Sequence, residues 1–167
     1  NLTSFYDVGE HNHIRLRGAD WNDALDMAEE RGESVAFTAA YASNLEEIGD
    51  MLLLLAKKTG KSKVYLAKEI EVLLSLEPNY YDDISKKKEV LNKFCNLCYS
   101  NVSGEKIGID CHDLSADLHS KARWIKEYIR ETEWISSSEG DSWYNGYYDN
   151  NGRPLEGEGS LGVGMML

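Results

Sequence analysis

Apolar residues recur along most of the chain with the three- and four-residue spacing of amphipathic helices. The strongest such pattern covers residues 33–58, where several alanines would also allow a neighbouring helix to approach closely. Lys57 and Lys58 favour a helix C-terminus through the helix dipole, and Gly60 is suited to ending the helix. We therefore predict one long helix over residues 33–58.

Weaker patterns of the same kind predict further helices on both sides of it. They comprise a short helix over 24–31 that ends at Gly32, a helix over 62–76, a helix that follows Asp83 and ends before Gly104, and a helix that begins near Asp113 as its N-cap. Consecutive helices joined by short loops favour a mainly α fold built as a helical array.

The pattern changes near the C-terminal end. Alternating aromatic residues predict a strand over residues 143–148, and an Asn-Gly pair predicts a turn over residues 149–152. With the return over residues 153–155, these segments form a short β-hairpin. The aromatic side chains of the strand have two interpretations, since they could pack the hairpin against helices or line a sugar-binding groove.

The composition limits the classes of function. The chain has 167 residues, of which 42% are hydrophobic, and this is enough for one ordered domain with its own core. A formal net charge of −11 argues against nucleic acid or an anionic membrane surface as partners, because both require clustered Lys and Arg. The sequence shows neither a signal-peptide pattern nor an apolar run of membrane-spanning length, so we expect a cytoplasmic protein.

The most distinctive chemistry lies in residues 17–23, which read Arg-Gly-Ala-Asp-Trp-Asn-Asp. Asp20 or Asn22 could cap a following helix, but capping needs no large aromatic residue between two carboxylates. An indole face stacks on a pyranose ring, while carboxylates and amides hold its hydroxyls or transfer a proton. This combination makes Asp20, Trp21, Asn22 and Asp23 candidate residues of a sugar site.

Two motifs in this order resemble the catalytic core of the inverting phosphorylases of glycoside hydrolase family 94. The family pattern is Asp-Trp-Asn-Asp-[Gly/Ala]-[Met/Leu], followed after a short gap by Gly-Glu-Ser-Val, and the chain carries both parts at residues 20–25 and 32–35. Residues 143–149, Trp-Tyr-Asn-Gly-Tyr-Tyr-Asp, are similar to an aromatic hairpin downstream in the family. The sequence variants are most like the 1,2-β-oligoglucan phosphorylase branch. The resemblance implies that residues 1–167 belong to one (α/α)6 barrel catalytic domain.

The resemblance also implies a role for each motif residue. Asp23 matches the general acid, and Trp21 matches the residue beside the donor sugar. Asp20 would support them, and Arg17 could hold Asp20 or another carboxylate in a bidentate pair. Asn22 would bind substrate. Inorganic phosphate is the attacking co-substrate, so no cofactor is implied, and the partners are a β-linked gluco-oligosaccharide and phosphate.

Other functions remain open at this level. A glycoside hydrolase on the same barrel would need a second carboxylate to activate water. A non-catalytic carbohydrate-binding fragment would need only the aromatic side chains. The catalytic chains of the family are several times longer, so we expect these residues to be an internal fragment that is inactive in isolation.

A metal site is a weaker hypothesis. His11 and His13 are two positions apart, which also fits an ordinary polar segment. A second set has spacing that zinc could use, namely Cys95, Cys98, Cys111 and His112. Because Cys98 shares a predicted apolar helix face with Leu91 and Phe94, packing is the simpler explanation. We expect no bound metal.

Overall fold

The computed structural model of the chain describes residues 1–17, 28–100 and 102–155. Within these ranges the α-helices are α1 (Val35–Thr59), α2 (Ile84–Ser100) and α3 (Cys111–Thr132). Short strands accompany them, namely β1 (Ile14–Arg15), β2 (Glu33–Ser34), β3 (Lys63–Ala67), β4 (Lys106–Asp110), β5 (Trp134–Ser136), β6 (Ser142–Tyr144) and β7 (Tyr147–Tyr148). Turns of 3-10 helix lie at Thr3–Phe5, Lys68–Leu74 and Pro78–Tyr80.

The predicted long helix is present as α1, with both ends fixed by local chemistry. The Ser34 hydroxyl accepts a hydrogen bond from Phe37 N at 2.9 Å, which satisfies one of the free N–H groups of the first turn. Gly60 ends the helix in the left-handed conformation at φ 68° and donates to Ala56 O. The helix begins two residues later than predicted because Glu33 and Ser34 pair as strand β2.

The helix predicted over residues 62–76 is wrong in its first half. Residues 63–67 form β3, which pairs antiparallel with β4 over its whole length, and only Lys68–Leu74 is helical, as a 3-10 helix. The partner strand lies about forty positions further along the chain, so a local pattern could not reveal it. Exposed and half-buried positions alternate along β3, as expected for a strand with one covered face.

α2 matches the helix predicted after Asp83, and α3 matches the last predicted helix, although its N-cap differs. The Asp110 carboxylate accepts from His112 N at 2.8 Å, so the cap is Asp110 and not Asp113. The predicted apolar stripe of this helix is buried, and it consists of Leu114, Leu118, Ala122, Ile125 and Ile129.

The predicted strand over residues 143–148 is also corrected, because it is two strands in different sheets. β6 pairs with β5, whereas β7 pairs with β2, and Asn145 and Gly146 separate them. The turn after β7 agrees with the prediction, since Gly152 has φ 74° and Tyr148 bridges to Pro154 on the return.

The main core lies between α1 and α3. Ion pairs join Glu46 to Lys126 and Asp50 to His119, the latter at 3.2 Å, so numbers rise along one helix as they fall along the other and the pair is antiparallel. The N-terminal segment and the 3-10 turns close this core with buried side chains, among them Phe5, Tyr6, Leu73 and Tyr81. None of the helices in the described ranges has an apolar stretch long enough to cross a bilayer.

A lysine side chain is buried in this core. Lys87 of α2 is 1% exposed, and its Nζ lies 4.0 Å from the ring centre of Phe5 and 4.2 Å from that of Trp124. Its Nζ donates a hydrogen bond to Asn12 Oδ1 at 2.8 Å. Burial, opposed by the charge of Asp82 and assisted by that of Lys121, lowers the pKa of Lys87 to about 6.

We predict that Lys87→Met stabilises the fold and that the gain shrinks as pH rises. Between about pH 6 and 10 the unfolded chain binds one more proton than the folded chain, so wild-type stability rises with pH through this window. The difference in unfolding free energy between variant and wild type should fall by roughly 4 kcal/mol from pH 6 to pH 9. Loss of the bond to Asn12 offsets about 1 kcal/mol of the gain at every pH.

Denaturant unfolding at pH 6, 7.5 and 9 measures this difference. Lys88→Met is the matched control, because Lys88 is the next residue of α2 and is exposed. A Lys87→Met effect that does not change with pH would contradict a depressed lysine pKa.

Candidate functional site

Four of the five candidate site residues, Asp20, Trp21, Asn22 and Asp23, lie outside the described residues. The structure does describe Arg17 and the contacts that described residues make on either side of residues 18–27. What the structure shows of the candidate site is therefore the geometry of the residues on both sides of 18–27.

The two ends of the segment meet at one place. β1 pairs antiparallel with β2, and beyond this pairing Leu16 N donates to Gly32 O at 3.0 Å. Leu16 and Gly32, which flank the segment of residues 17–31, are therefore adjacent in the structure. Beside it, Leu16 and Ala28 pack with Tyr147 and Leu155 in a small apolar cluster separate from the main core. We call this junction the neck of the segment.

Arg17 fixes the leading side of the neck. Its Nε and Nη2 donate to the Asp7 carboxylate at 3.0 and 2.6 Å, which is the bidentate geometry that matches a guanidinium to a carboxylate. A bidentate carboxylate pair was predicted for this residue, and Asp7 is the partner that the structure shows. Hydrogen bonding from Arg17 to Asp7 raises the pKa of Arg17. Its backbone is left-handed, at φ 53°.

Asn150 and Gly32 fix the returning side. The Asn150 side-chain oxygen accepts from Glu30 N at 2.9 Å and from Arg31 N at 2.7 Å. Gly32 N then donates to Ala28 O at 2.8 Å, and a Cβ on Gly32 would stand 2.2 Å from that oxygen. The glycine of the Gly-Glu-Ser-Val motif is thus required by close contact with the preceding turn.

Glu33 is the next residue, and its carboxylate is 2% exposed. It accepts from His11 N at 3.0 Å, from His13 N at 3.0 Å and from His11 Nδ1 at 2.9 Å. Gly9 allows the loop to close around it, since a Cβ there would lie 2.3 Å from the carboxyl carbon. We call residues 9–13 the carboxylate loop.

A second buried carboxylate, Glu133 at the end of α3, holds the other side of the carboxylate loop. Its oxygens contact His13 Nε2 at 2.9 Å, Tyr148 OH at 2.9 Å and Asn145 Nδ2 at 3.1 Å. Burial alone would raise the pKa of Glu133, but the bonds from these groups outweigh burial and lower it. His11 also stacks on Tyr148, with ring centres 3.7 Å apart, so the two carboxylate clusters are in contact.

The two carboxylates are the contact partners of His11 and His13. His11 pairs with Glu33 and His13 pairs with Glu133, which accounts for both as partners of carboxylates. In the part of the chain that the structure describes, no group of three or more His, Cys, Asp or Glu side chains is placed to hold a metal ion. Cys111 is buried, Cys98 half-buried and Cys95 exposed, and the expectation of no bound metal stays a prediction.

The aromatic residues predicted near the C-terminal end are divided between buried and exposed positions. Tyr147 and Tyr148 are buried and pack, whereas Tyr144 is 45% exposed and forms an edge-to-face pair with Trp134, at 4.7 Å between ring centres. Trp134 itself is 51% exposed. Beside this pair is an open groove of about 460 Å³, lined by the start of α1, the end of α3 and residues 144–146.

Glu133, Asn145 and Asn150 were not singled out from the sequence. Glu133 ends an amphipathic helix among other charged residues, and the two asparagines lie in segments that read as a strand and a turn. Their roles depend on partners 12 to 120 positions away. Asn145 lies within the motif at residues 143–149, but neither that motif nor any periodicity indicates the contacts of these three residues.

Comparison of the chain with protein-family models and with curated proteins finds no match. The assignment of a function therefore rests on the motifs and on the geometry around them.

We predict that Glu133→Gln destabilises the fold by about 3 kcal/mol at pH 7, because it removes the charge that His13, Asn145 and Tyr148 are arranged to hold. The lowered pKa of Glu133 adds stability above the ordinary carboxyl range, and this contribution is lost as pH falls through the folded-state value. The destabilisation should therefore be much smaller at pH 3.5 than at pH 7.

Chemical denaturation at the two pH values tests this expectation. Glu131→Gln, two residues earlier at an exposed position, is the control and should leave stability within about 0.5 kcal/mol of wild type. Equal destabilisation by Glu133→Gln at both pH values would show that the carboxylate charge is not what the network holds.

Proposed function

We propose that this chain is part of an inverting glycoside phosphorylase that cleaves a short β-linked gluco-oligosaccharide with inorganic phosphate and releases glucose 1-phosphate. A β-1,2 linkage is the first substrate to test. The single observation that carries the proposal is the motif pair at residues 20–25 and 32–35. In this proposal the enzyme is cytoplasmic, and the antiparallel α1 and α3 are helices of an (α/α)6 barrel.

The chemistry requires one acid. Asp23 protonates the glycosidic oxygen while phosphate attacks the anomeric carbon from the opposite face of the sugar. An inverting hydrolase needs a second carboxylate to deprotonate water, but phosphate is already an anion and needs no such base. Trp21 stacks on the donor sugar, and Asp20 and Asn22 bind its hydroxyls.

The neck supports this proposal. A proton donor works only when it is held within hydrogen-bond reach of the oxygen that it protonates. The segment that carries Asp23 is tied at its leading side by the Arg17–Asp7 pair and at its returning side by Asn150 and Glu33. Attachment on both sides suits a segment that has to present a reacting group.

We predict that Asp23→Asn lowers phosphorolysis by roughly 10² to 10⁴, the usual contribution of general acid catalysis, without unfolding the protein. The measurement is phosphate-dependent release of glucose 1-phosphate from sophorose and longer β-1,2-glucans by the intact protein that carries this sequence. Asp26→Asn, in the same segment, is the control and should retain activity.

The substrate-side controls separate the enzyme classes. Release of glucose without phosphate would identify a hydrolase. Phosphorolysis by Asp23→Asn near the wild-type rate would show that Asp23 is not the acid.

A second candidate function is carbohydrate binding without turnover. The observation that favours it is the half-exposed Trp134–Tyr144 pair beside the open groove, since aromatic faces next to polar groups suit a pyranose.

For this candidate we predict that Tyr144→Ala, which removes the aromatic side chain that lines the groove, weakens sophorose binding at least tenfold in a calorimetric titration without phosphate. Tyr99→Ala is the control, because Tyr99 is 95% exposed on α2, away from the groove. Equal affinities of the two variants would exclude the groove as a sugar site.

A further inference from the structure

We propose that Glu33 is a positioning residue for the proton donor Asp23. The Glu33 carboxylate binds in the carboxylate loop and so sets where the chain that follows Asp23 rejoins the fold. The inference rests on the proposed function for its catalytic consequence. Its structural part, that Glu33 anchors the returning side of the neck at residues 28–32, stands on the described geometry alone.

The contacts of Glu33 are directional and leave it little freedom. The backbone N–H groups of His11 and His13 and the ring nitrogen of His11 converge on one carboxylate from three directions, at 2.9 to 3.0 Å. Charged acceptors make hydrogen bonds about twice as strong as neutral ones. The close approach of Gly9 leaves no room for the carboxylate to move towards that side.

The carboxylate loop is itself fixed to the core. Asn12, at its centre, takes the left-handed conformation at φ 63° and is 3% exposed. Its side-chain amide donates to Asp82 O at 3.2 Å, and its oxygen accepts from Lys87 Nζ at 2.8 Å. Glu33 is therefore connected through the loop to the start of α2, which is a rigid support and not another surface loop.

The contacts of Glu33 bear on the candidate site because Glu33 lies next to the neck in the sequence. It directly follows Gly32, the last residue of the neck, and its backbone pairs with Arg15 on one side and Tyr148 on the other. A shift of Glu33 would move the neck with it. A misplacement of about 1 Å at a reacting group costs on the order of a hundredfold in rate even when the mutated residue makes no contact with substrate.

Glu133 distinguishes this role from a general stabilising role. It holds the same loop through His13 but lies at the end of α3, outside the neck. Loss of its charge should lower stability. Loss of the Glu33 charge should lower stability as well, and in addition it should lower turnover in the protein that remains folded.

The test compares Glu33→Gln, Glu33→Asp and the control Glu30→Gln, an exposed position one turn earlier, in the intact protein. The amide of Glu33→Gln places N–H groups against the N–H donors of the loop, whereas Glu33→Asp keeps the charge on a shorter side chain. We expect Glu33→Gln to lower kcat at least 30-fold with less than a threefold change in KM for glucan and phosphate. Glu33→Asp should recover part of kcat, and Glu30→Gln should match wild type.

Amide hydrogen exchange provides a readout that needs no activity. Glu33→Gln should speed exchange in peptides within residues 9–33 at least tenfold and leave α1 and α3 unchanged. Wild-type kcat in Glu33→Gln, or a loss that only follows the unfolded fraction, would overturn the positioning role. If wild type itself shows no phosphorolysis, the proposed function fails. The anchor is then decided by exchange alone, and unchanged exchange would overturn it.

Discussion

A carboxylate can be buried only where hydrogen-bond donors replace the water that it loses, and the carboxylate loop supplies such donors to two of them. Glu33 enters the loop from β2, and Glu133 reaches it from the end of α3. Each anion would be costly alone, and the loop would have unpaired N–H groups without them. This mutual satisfaction joins the N-terminal segment, the neck and the α1–α3 core into one structure.

The same loop also contacts the buried Lys87 through Asn12. Two titratable groups beside this short loop, Glu133 and Lys87, make the stability of the region fall as pH falls. Acid removes the anionic partner at Glu133, and high pH relieves the cost of the buried lysine. An apolar core of the same size would have supplied burial without this dependence or the orientation that directional bonds provide.

The neck connects this hydrogen-bond network to the segment that carries the candidate site residues. The residues with the most distinctive chemistry lie in residues 17–31, and both sides of that segment are attached by charge-assisted or paired hydrogen bonds. Arg17 was expected to hold a carboxylate, and its partner Asp7 belongs to the N-terminal segment. The second motif also contributes two contacts. Gly32 lies against Ala28, where a side chain would not fit, and the Glu33 carboxylate accepts hydrogen bonds from the carboxylate loop.

The sequence by itself determined the features that depend on near neighbours. The apolar stripes of α1 and α3, the end at Gly60 and the turn at Gly152 follow from residues within a few positions of each other, and the structure contains them. Tertiary structure decided the features whose partners are distant in the chain. β3 is a strand because β4 pairs with it, and Glu33, Glu133 and Lys87 are buried because partners 20 to 120 positions away satisfy them. Helical periodicity is local and can be read from the sequence, whereas burial of a polar group depends on which distant donors and acceptors the fold brings to it.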